Sequence, residues 1–106
     1  MPKGYEVRRV VVKREADLVF AKNQRIVVLD ERGKEYATAE FAKLISLETA
    51  FVIGGADGLS AAMKAKAHLL VRLSALTLPH ALAQVVLLEQ LYRAATILTG
   101  HPYHRP

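Results

Sequence analysis

Four clusters of residues in this chain have types and spacings that could do chemistry. The first is Gly54-Gly55-Ala56-Asp57-Gly58. Glycines permit positive φ and let a ligand approach the backbone closely. The spacing GGxxG differs from the dinucleotide fingerprint GxGxxG and lacks the Lys-Ser/Thr ending of a phosphate loop, so taken alone it reads as a tight turn. The second is Leu73-Ser74-Ala75-Leu76-Thr77-Leu78-Pro79-His80, which is unusually apolar for a connection. Loops are ordinarily polar and lie on the surface, so an apolar one is expected to be buried, and its backbone groups then need partners. The donor and acceptor edge of a ligand such as adenine could supply them. A strand running on into a helix is the alternative.

The third cluster is Glu89 and Arg93, spaced i,i+4, which could equally form a surface ion pair. The fourth is His101-Pro102-Tyr103-His104-Arg105. A solvated tail is the default for terminal residues, but two histidines, a tyrosine and an arginine in five residues could instead meet a phosphate or a base. Other arrangements are thin. There is no HExxH and no GxSxG, and none of His68, His80, His101 and His104 is paired with another at helical metal spacing. His68 is expected to be an exposed helix residue. Asp30-Glu31 could be an acid pair, or simply a turn before Gly33.

These residues need a scaffold. Four segments read as strands: residues 5–13, with Val7, Val10, Val11 and Val12; RIVVLD at 25–30; AFVIG at 50–54; and LLVRL at 69–73. Short Val- and Ile-rich runs ended by Gly or Asp suggest strands buried on both faces of a parallel sheet. Helical segments alternate with them. Thr38 is the expected N-cap of a first helix, with Phe41, Leu44 and Ile45 as its apolar stripe and Glu40 in its first turn. Ser60 caps a second. Pro79 opens a third, which Gly100 ends. The third helix carries apolar residues around much of its circumference, so it should pack on its own sheet and on something else, with a second subunit as the simple candidate. Alternation of strands and helices gives an α/β class.

Composition sets limits. The 106 residues make one domain, and 52% of them are hydrophobic, enough for a core. Cysteine is absent, which excludes disulfides, thiolate metal sites and a cysteine nucleophile and fits a reducing, cytoplasmic setting. No secretory segment is expected from residues 1–13, and the apolar stretch of the last helix, interrupted by Gln84 and Glu89, reads as too short to span a bilayer. A net charge of +5 and a pI of about 9.7 favour polyanionic partners but also suit an ordinary basic protein. Lys3, Arg8, Arg9, Lys13 and Arg14 crowd the first segment.

Read in order, RIVVLDERGK, FVIGGADGLS and LSALTLPHALAQVVLLEQLYRAATILTGHPYHR resemble one family, the SPOUT ribosomal RNA methyltransferases that modify N3 of a pseudouridine in large-subunit (23S) rRNA (the RlmH family). The resemblance runs from Arg25 to Arg105. The combination IGGxxG, LTLPH, EQLYRA and PYH is specific where each piece alone is not. It implies a parallel sheet flanked by helices with a C-terminal deep trefoil knot, across residues 1–106 as a single SPOUT domain. It implies S-adenosyl-L-methionine as cofactor, held by Leu29, Gly54, Gly55, Leu73, Ser74, Ala75, Leu76, Thr77 and Leu78. It also implies a homodimer acting on ribosomal RNA without metal. His104 is then the first candidate for the base that assists loss of the N3 proton, with Tyr103, Arg93 and His80 beside it. One departure stands out: members of this family usually open with a strand, a tight turn and a helix ahead of the segment that residues 5–13 match. The runner-up expectation is a non-catalytic knotted dimer that binds RNA or cofactor only.

Overall fold

A computed structural model describes residues 4–55 and 58–104. Its centre is a parallel three-stranded sheet in the order β2-β1-β3, formed by β1 (Arg25–Glu35), β2 (Thr49–Val52) and β3 (Leu69–Arg72). Three helices complete the α/β chain: α1 (Thr38–Ala42), continued by a 3-10 turn at Lys43–Ser46, α2 (Ala61–Lys66) and α3 (His80–Thr99).

The period-2 rule of a strand explains how β1 holds both layers together. Val27 points into one core with Phe41, Leu44, Val71, Leu87, Leu91 and Ala94. Its neighbours Ile26 and Val28 point into the other, with Val52 and Met63, and Leu18 and Phe20 pack on that side. So α1 and α3 cover one face and α2 covers the other. Val27, Val28 and Val71 are at most 1% exposed. Burial of each stabilises the fold by about 1.5–3 kcal/mol.

After Leu29 the chain leaves the ladder and rejoins β3 five residues later, so that Val71 pairs with both Leu29 and Lys34. Gly33 makes that crossing possible. A Cβ at Gly33 would stand 2.6 Å from the carbonyl carbon of Leu70 and the nitrogen of Val71. Only a residue without a side chain can ride on another strand's backbone so closely.

Several sequence expectations need correction. Residues 5–13 form no strand; they run as an irregular arm with Val10 and Val11 exposed. Valine content favours a strand only when an edge is there to pair with, and no described residue pairs with this segment. The N-cap of α1 is Ala37 rather than Thr38. Glu40 Oε1 accepts from the Ala37 N–H at 3.4 Å. Thr38, one position inside, donates its hydroxyl to Gln90 Oε1 at 3.0 Å and so ties α1 to α3. His68 is not helical. It sits just before β3, where its Nδ1 accepts from the Ile26 N–H at 2.9 Å and its own N–H donates to the Ile26 carbonyl at 2.8 Å. Finally, α3 has 20 residues and is long and apolar enough to cross a membrane by length and composition. Leu87, Leu91 and Ala94, however, pack into the sheet core, as in the core helix of a globular fold.

The other caps are as expected. Ser60 Oγ accepts from the Met63 N–H at 3.1 Å at the start of α2. Pro79 precedes α3, and Gly100 closes it in the left-handed conformation with φ 74°.

Candidate functional site

In a parallel sheet every strand ends at the same edge, and ligands of open α/β folds sit there. Leu29 on β1, the glycine turn after β2 and the connection after β3 all lie at this carboxyl edge. The half-buried side chains of Leu29, Ile53 and Leu73 pack together against the α3-side core.

The two glycines differ. A Cβ at Gly54 would meet the carbonyl carbon of Gly58 at 2.8 Å and the Leu59 side chain at 2.9 Å. The turn therefore needs Gly54 for its own closure, and a substitution there does not report cleanly on a ligand. A Cβ at Gly55 would meet nothing within 4 Å. Gly58 adopts φ 74° and returns its N–H to the Gly55 carbonyl at 2.9 Å, closing the turn around Ala56 and Asp57, which lie outside the described residues.

The connection between β3 and α3 is not buried as its composition suggests. Ala75, Leu76 and Thr77 are exposed, Leu76 to 77%, and Ser74 and Leu78 are half-buried. One bond, from the Leu76 N–H to Ser74 Oγ at 3.0 Å, shapes it. No described backbone group bonds those of Ala75, Thr77 or Leu78. An apolar, exposed segment with free peptide groups offers both contact area and hydrogen bonds to a flat polar-edged ligand. Beside it lies a cavity of about 150 Å³ between α1, β3 and α3, with Tyr36, Arg72, Leu73 and Gln90 on its wall. Arg72 spans from Glu35, where Nη2 lies 3.1 Å from the carboxylate, to this wall, where its Nε is buried without a partner. Sequence pattern did not single out this cavity, because its residues come from three separate elements.

Three of the four expected catalytic residues meet at the far end of α3. Arg93 pairs with Glu89 at 2.8 Å, and its Nη1 donates to His104 Nδ1 at 3.3 Å. The Tyr103 ring lies 5.0 Å from the guanidinium and 4.7 Å from the Tyr92 ring. Tyr103 and His104 are thus held against α3, while His101 and Pro102 are exposed. The hydrogen bond that Arg93 donates to the Glu89 carboxylate holds its guanidinium still more firmly protonated than usual. His80 does not join them. It lies in the first turn of α3, bonded through Nε2 to Gln84 at 2.8 Å. Thirteen residues of helix, about 20 Å, separate it from Arg93. Arg105 lies outside the described residues.

Asp30 is structural. It accepts from Lys64 at 2.7 Å and from the Arg32 N–H at 2.7 Å. These bonds, Lys64 first, hold its carboxyl below the usual range. Among the described residues no group of three or more His, Asp or Glu could hold a metal ion.

Comparison with known proteins then bears on this geometry. The family described as "Predicted SPOUT methyltransferase" matches residues 3–104. Similar curated proteins are called "Ribosomal RNA large subunit methyltransferase H". Those of Burkholderia mallei (strain SAVP1) and Burkholderia pseudomallei (strain 668) are each 50% identical over 95 residues, covering 84% of this chain and 61% of the relative. That of Paraburkholderia phymatum is 48% identical over 99 residues, covering 88% and 64%. The chain therefore spans a little under two thirds of the length of these relatives.

Proposed function

This chain belongs to the SPOUT methyltransferase family, and from that premise we propose that it transfers a methyl group from S-adenosylmethionine to N3 of a pseudouridine in large-subunit ribosomal RNA. The observation that carries the reading is the 48–50% identity to proteins called ribosomal RNA large subunit methyltransferase H, over 84–88% of this chain. A ribosomal RNA substrate puts the activity in the cytoplasm.

The residues at the edge fit the cofactor. Leu29, Ile53 and Leu73 offer an apolar floor, Gly55 leaves room for close approach, and residues 74–78 offer free peptide groups. S-adenosylmethionine supplies an electrophilic sulfonium methyl, so the protein mainly has to align acceptor and donor. The trefoil knot is part of the same proposal. A crossing at Gly33, with Val71 paired on both sides of it, is what a loop closed over β3 requires.

The acceptor imide must lose its N3 proton, which passes to solvent water: His104, expected from the sequence to be the base, has no free acceptor nitrogen in this geometry. An arginine has donors and no acceptor, so the bond from Arg93 makes Nδ1 of His104 an acceptor and leaves the proton of the neutral ring on Nε2. In this arrangement His104 points a donor outward, and Arg93 with Tyr103 holds the ring. The group is suited to grip a carbonyl oxygen of the base and to stabilise the imide anion. His80 serves elsewhere.

We place the homodimer contact on α3. Leu82, Val85 and Leu88, spaced three apart, are 45–60% exposed and lie away from the face that enters the core. A second copy packed there would bring one tail near the other's carboxyl edge. The test is transfer of labelled methyl from S-adenosylmethionine to ribosomes, with S-adenosylhomocysteine titration alongside. Cofactor binding without transfer would favour the non-catalytic dimer.

A further inference from the structure

The arm at residues 5–14 is tied down at two places that belong to opposite faces of the sheet. Arg9 Nη2 donates to Gln84 Oε1 at 3.1 Å, in the second turn of α3. The Ser60 N–H, at the N-cap of α2, donates to Glu15 Oε1 at 2.8 Å. Helix α3 covers one face and α2 the other, and both begin just after the carboxyl ends of strands. A chain joining their first turns has to cross the carboxyl edge. Six residues separate Arg9 from Glu15, a reach of at most about 20 Å, so residues 10–14 cross it as a short strap that bends at Lys13 and Arg14.

The strap is not packed like a structural element. Val10 and Val11 are 64% and 73% exposed. Its charges are unevenly satisfied. Arg14 pairs with Asp17 at 3.2 Å and Arg9 is held by Gln84, but Arg8 and Lys13 are exposed and have no ion-pair partner among the described residues. Arg8 and Lys13 stand on the segment that joins the two helix starts beside the carboxyl-edge loops, where a polyanionic methyl acceptor would meet them.

We propose that residues 8–14 form a basic strap over the mouth of the site and that Arg8 and Lys13 grip the phosphate backbone of the RNA substrate. This rests on the RNA methyltransferase reading and adds the surface that receives the polyanion. Binding of a ribosomal RNA fragment to the full chain and to the R8A/K13A double variant, from 50 to 200 mM salt by fluorescence anisotropy, tests it. Loss of two phosphate contacts should flatten the slope of log K against log salt by about 1.4 and weaken binding at low salt roughly tenfold. The charge-preserving pair Arg8→Lys and Lys13→Arg should restore the slope. Melting temperature and calorimetric affinity for S-adenosylhomocysteine should stay unchanged in both. Unaltered RNA binding by R8A/K13A, while the parent chain binds, would overturn the strap and leave the methyltransferase reading standing. A parent chain that binds no RNA would overturn both. A loss of RNA affinity that tracks a fall in melting temperature would mean the arm is structural, and would overturn the proposal too.

Discussion

Arg93 and His104 stand eleven residues apart in sequence and meet through a single bond of 3.3 Å from Nη1 to Nδ1. The geometry joins the last turns of α3 to the tail and fixes which ring nitrogen faces out. His104→Ala should leave stability within about 0.5 kcal/mol, since it removes a partly exposed ring, while methyl transfer to ribosomes drops by about 10² or more. S-adenosylhomocysteine affinity should not change. Thermal melts, calorimetry and labelled transfer read these separately. A large stability loss with undiminished transfer would move the catalytic role to Arg93.

Gly33→Ala should be severely destabilising, by about 3 kcal/mol, the upper end of the scale for overpacking, because the groups it meets cannot move. The added methyl would overlap backbone atoms of Leu70 and Val71, not a pliable side chain. Gly55→Ala, with open space around it, should fold normally and weaken cofactor binding. Urea denaturation of both variants decides: equal stabilities would mean that β1 does not cross β3 at Gly33.

Much of this architecture was legible because local rules and packing agreed. RIVV at 25–28 alternates between two cores, and Ser60, Pro79 and Gly100 sit where helix ends need them. The placement of Gly54 at a strand end was legible from the glycine turn after a buried strand. Leu29 and residues 73–78 came in through the family resemblance, and the strand order that gathers them at one edge came only from the structure. What sequence pattern could not give were the long-range meetings. Residues 5–13 have the composition of a strand but pair with neither edge strand, and Arg9 bonds instead to Gln84 on α3. His68 looks like a helix residue until Ile26, 42 residues away, offers its N–H. His80 was grouped with the tail by residue type, and the length of α3 keeps them apart.

His68 stitches the start of β1 to the start of β3 with two bonds, one through its ring. His68→Ala keeps the backbone bond and loses the ring acceptor. It should cost about 1 kcal/mol, more if the Ile26 N–H is left dry. Chemical denaturation should show a lower midpoint at unchanged slope. No change would mean that water replaces the ring without penalty.

Acid should loosen the contact between β1 and α2. The Asp30 carboxyl is held below its ordinary value of 3.8 by Lys64 and by the Arg32 N–H. A carboxyl depressed in the fold contributes stability that is fully present above its unfolded pKa. That contribution disappears as pH falls through the lower, folded pKa. Stability should therefore decline below about pH 4. Asp30→Asn should be less stable at pH 7 by about 1 kcal/mol, because Lys64 is partly solvated. It should also show a smaller acid-induced drop in melting temperature. Parallel pH profiles for the two proteins would mean that Asp30 contributes nothing through its charge.

The exposed stripe of α3 gives the last prediction. Leu82, Val85 and Leu88 fall on the helix side opposite Leu87, Leu91 and Ala94, and only the second set enters the core. Three large apolar side chains in a row on a helix surface are a surface for another helix. If a second copy covers them, Val85→Glu buries a carboxylate at the contact and should shift the chain to monomer at micromolar concentration by light scattering. The monomer should keep its helical circular dichroism, because Val85 lies outside the core. Its methyl transfer should fall with the dimer fraction, because the tail cluster of Arg93, Tyr103 and His104 lies at the other end of α3 from the connection at residues 73–79. One subunit's tail would therefore serve its neighbour's edge. A Val85→Glu protein that remains dimeric, or a monomer that transfers methyl at the parent's rate, would show that the site is complete within one chain.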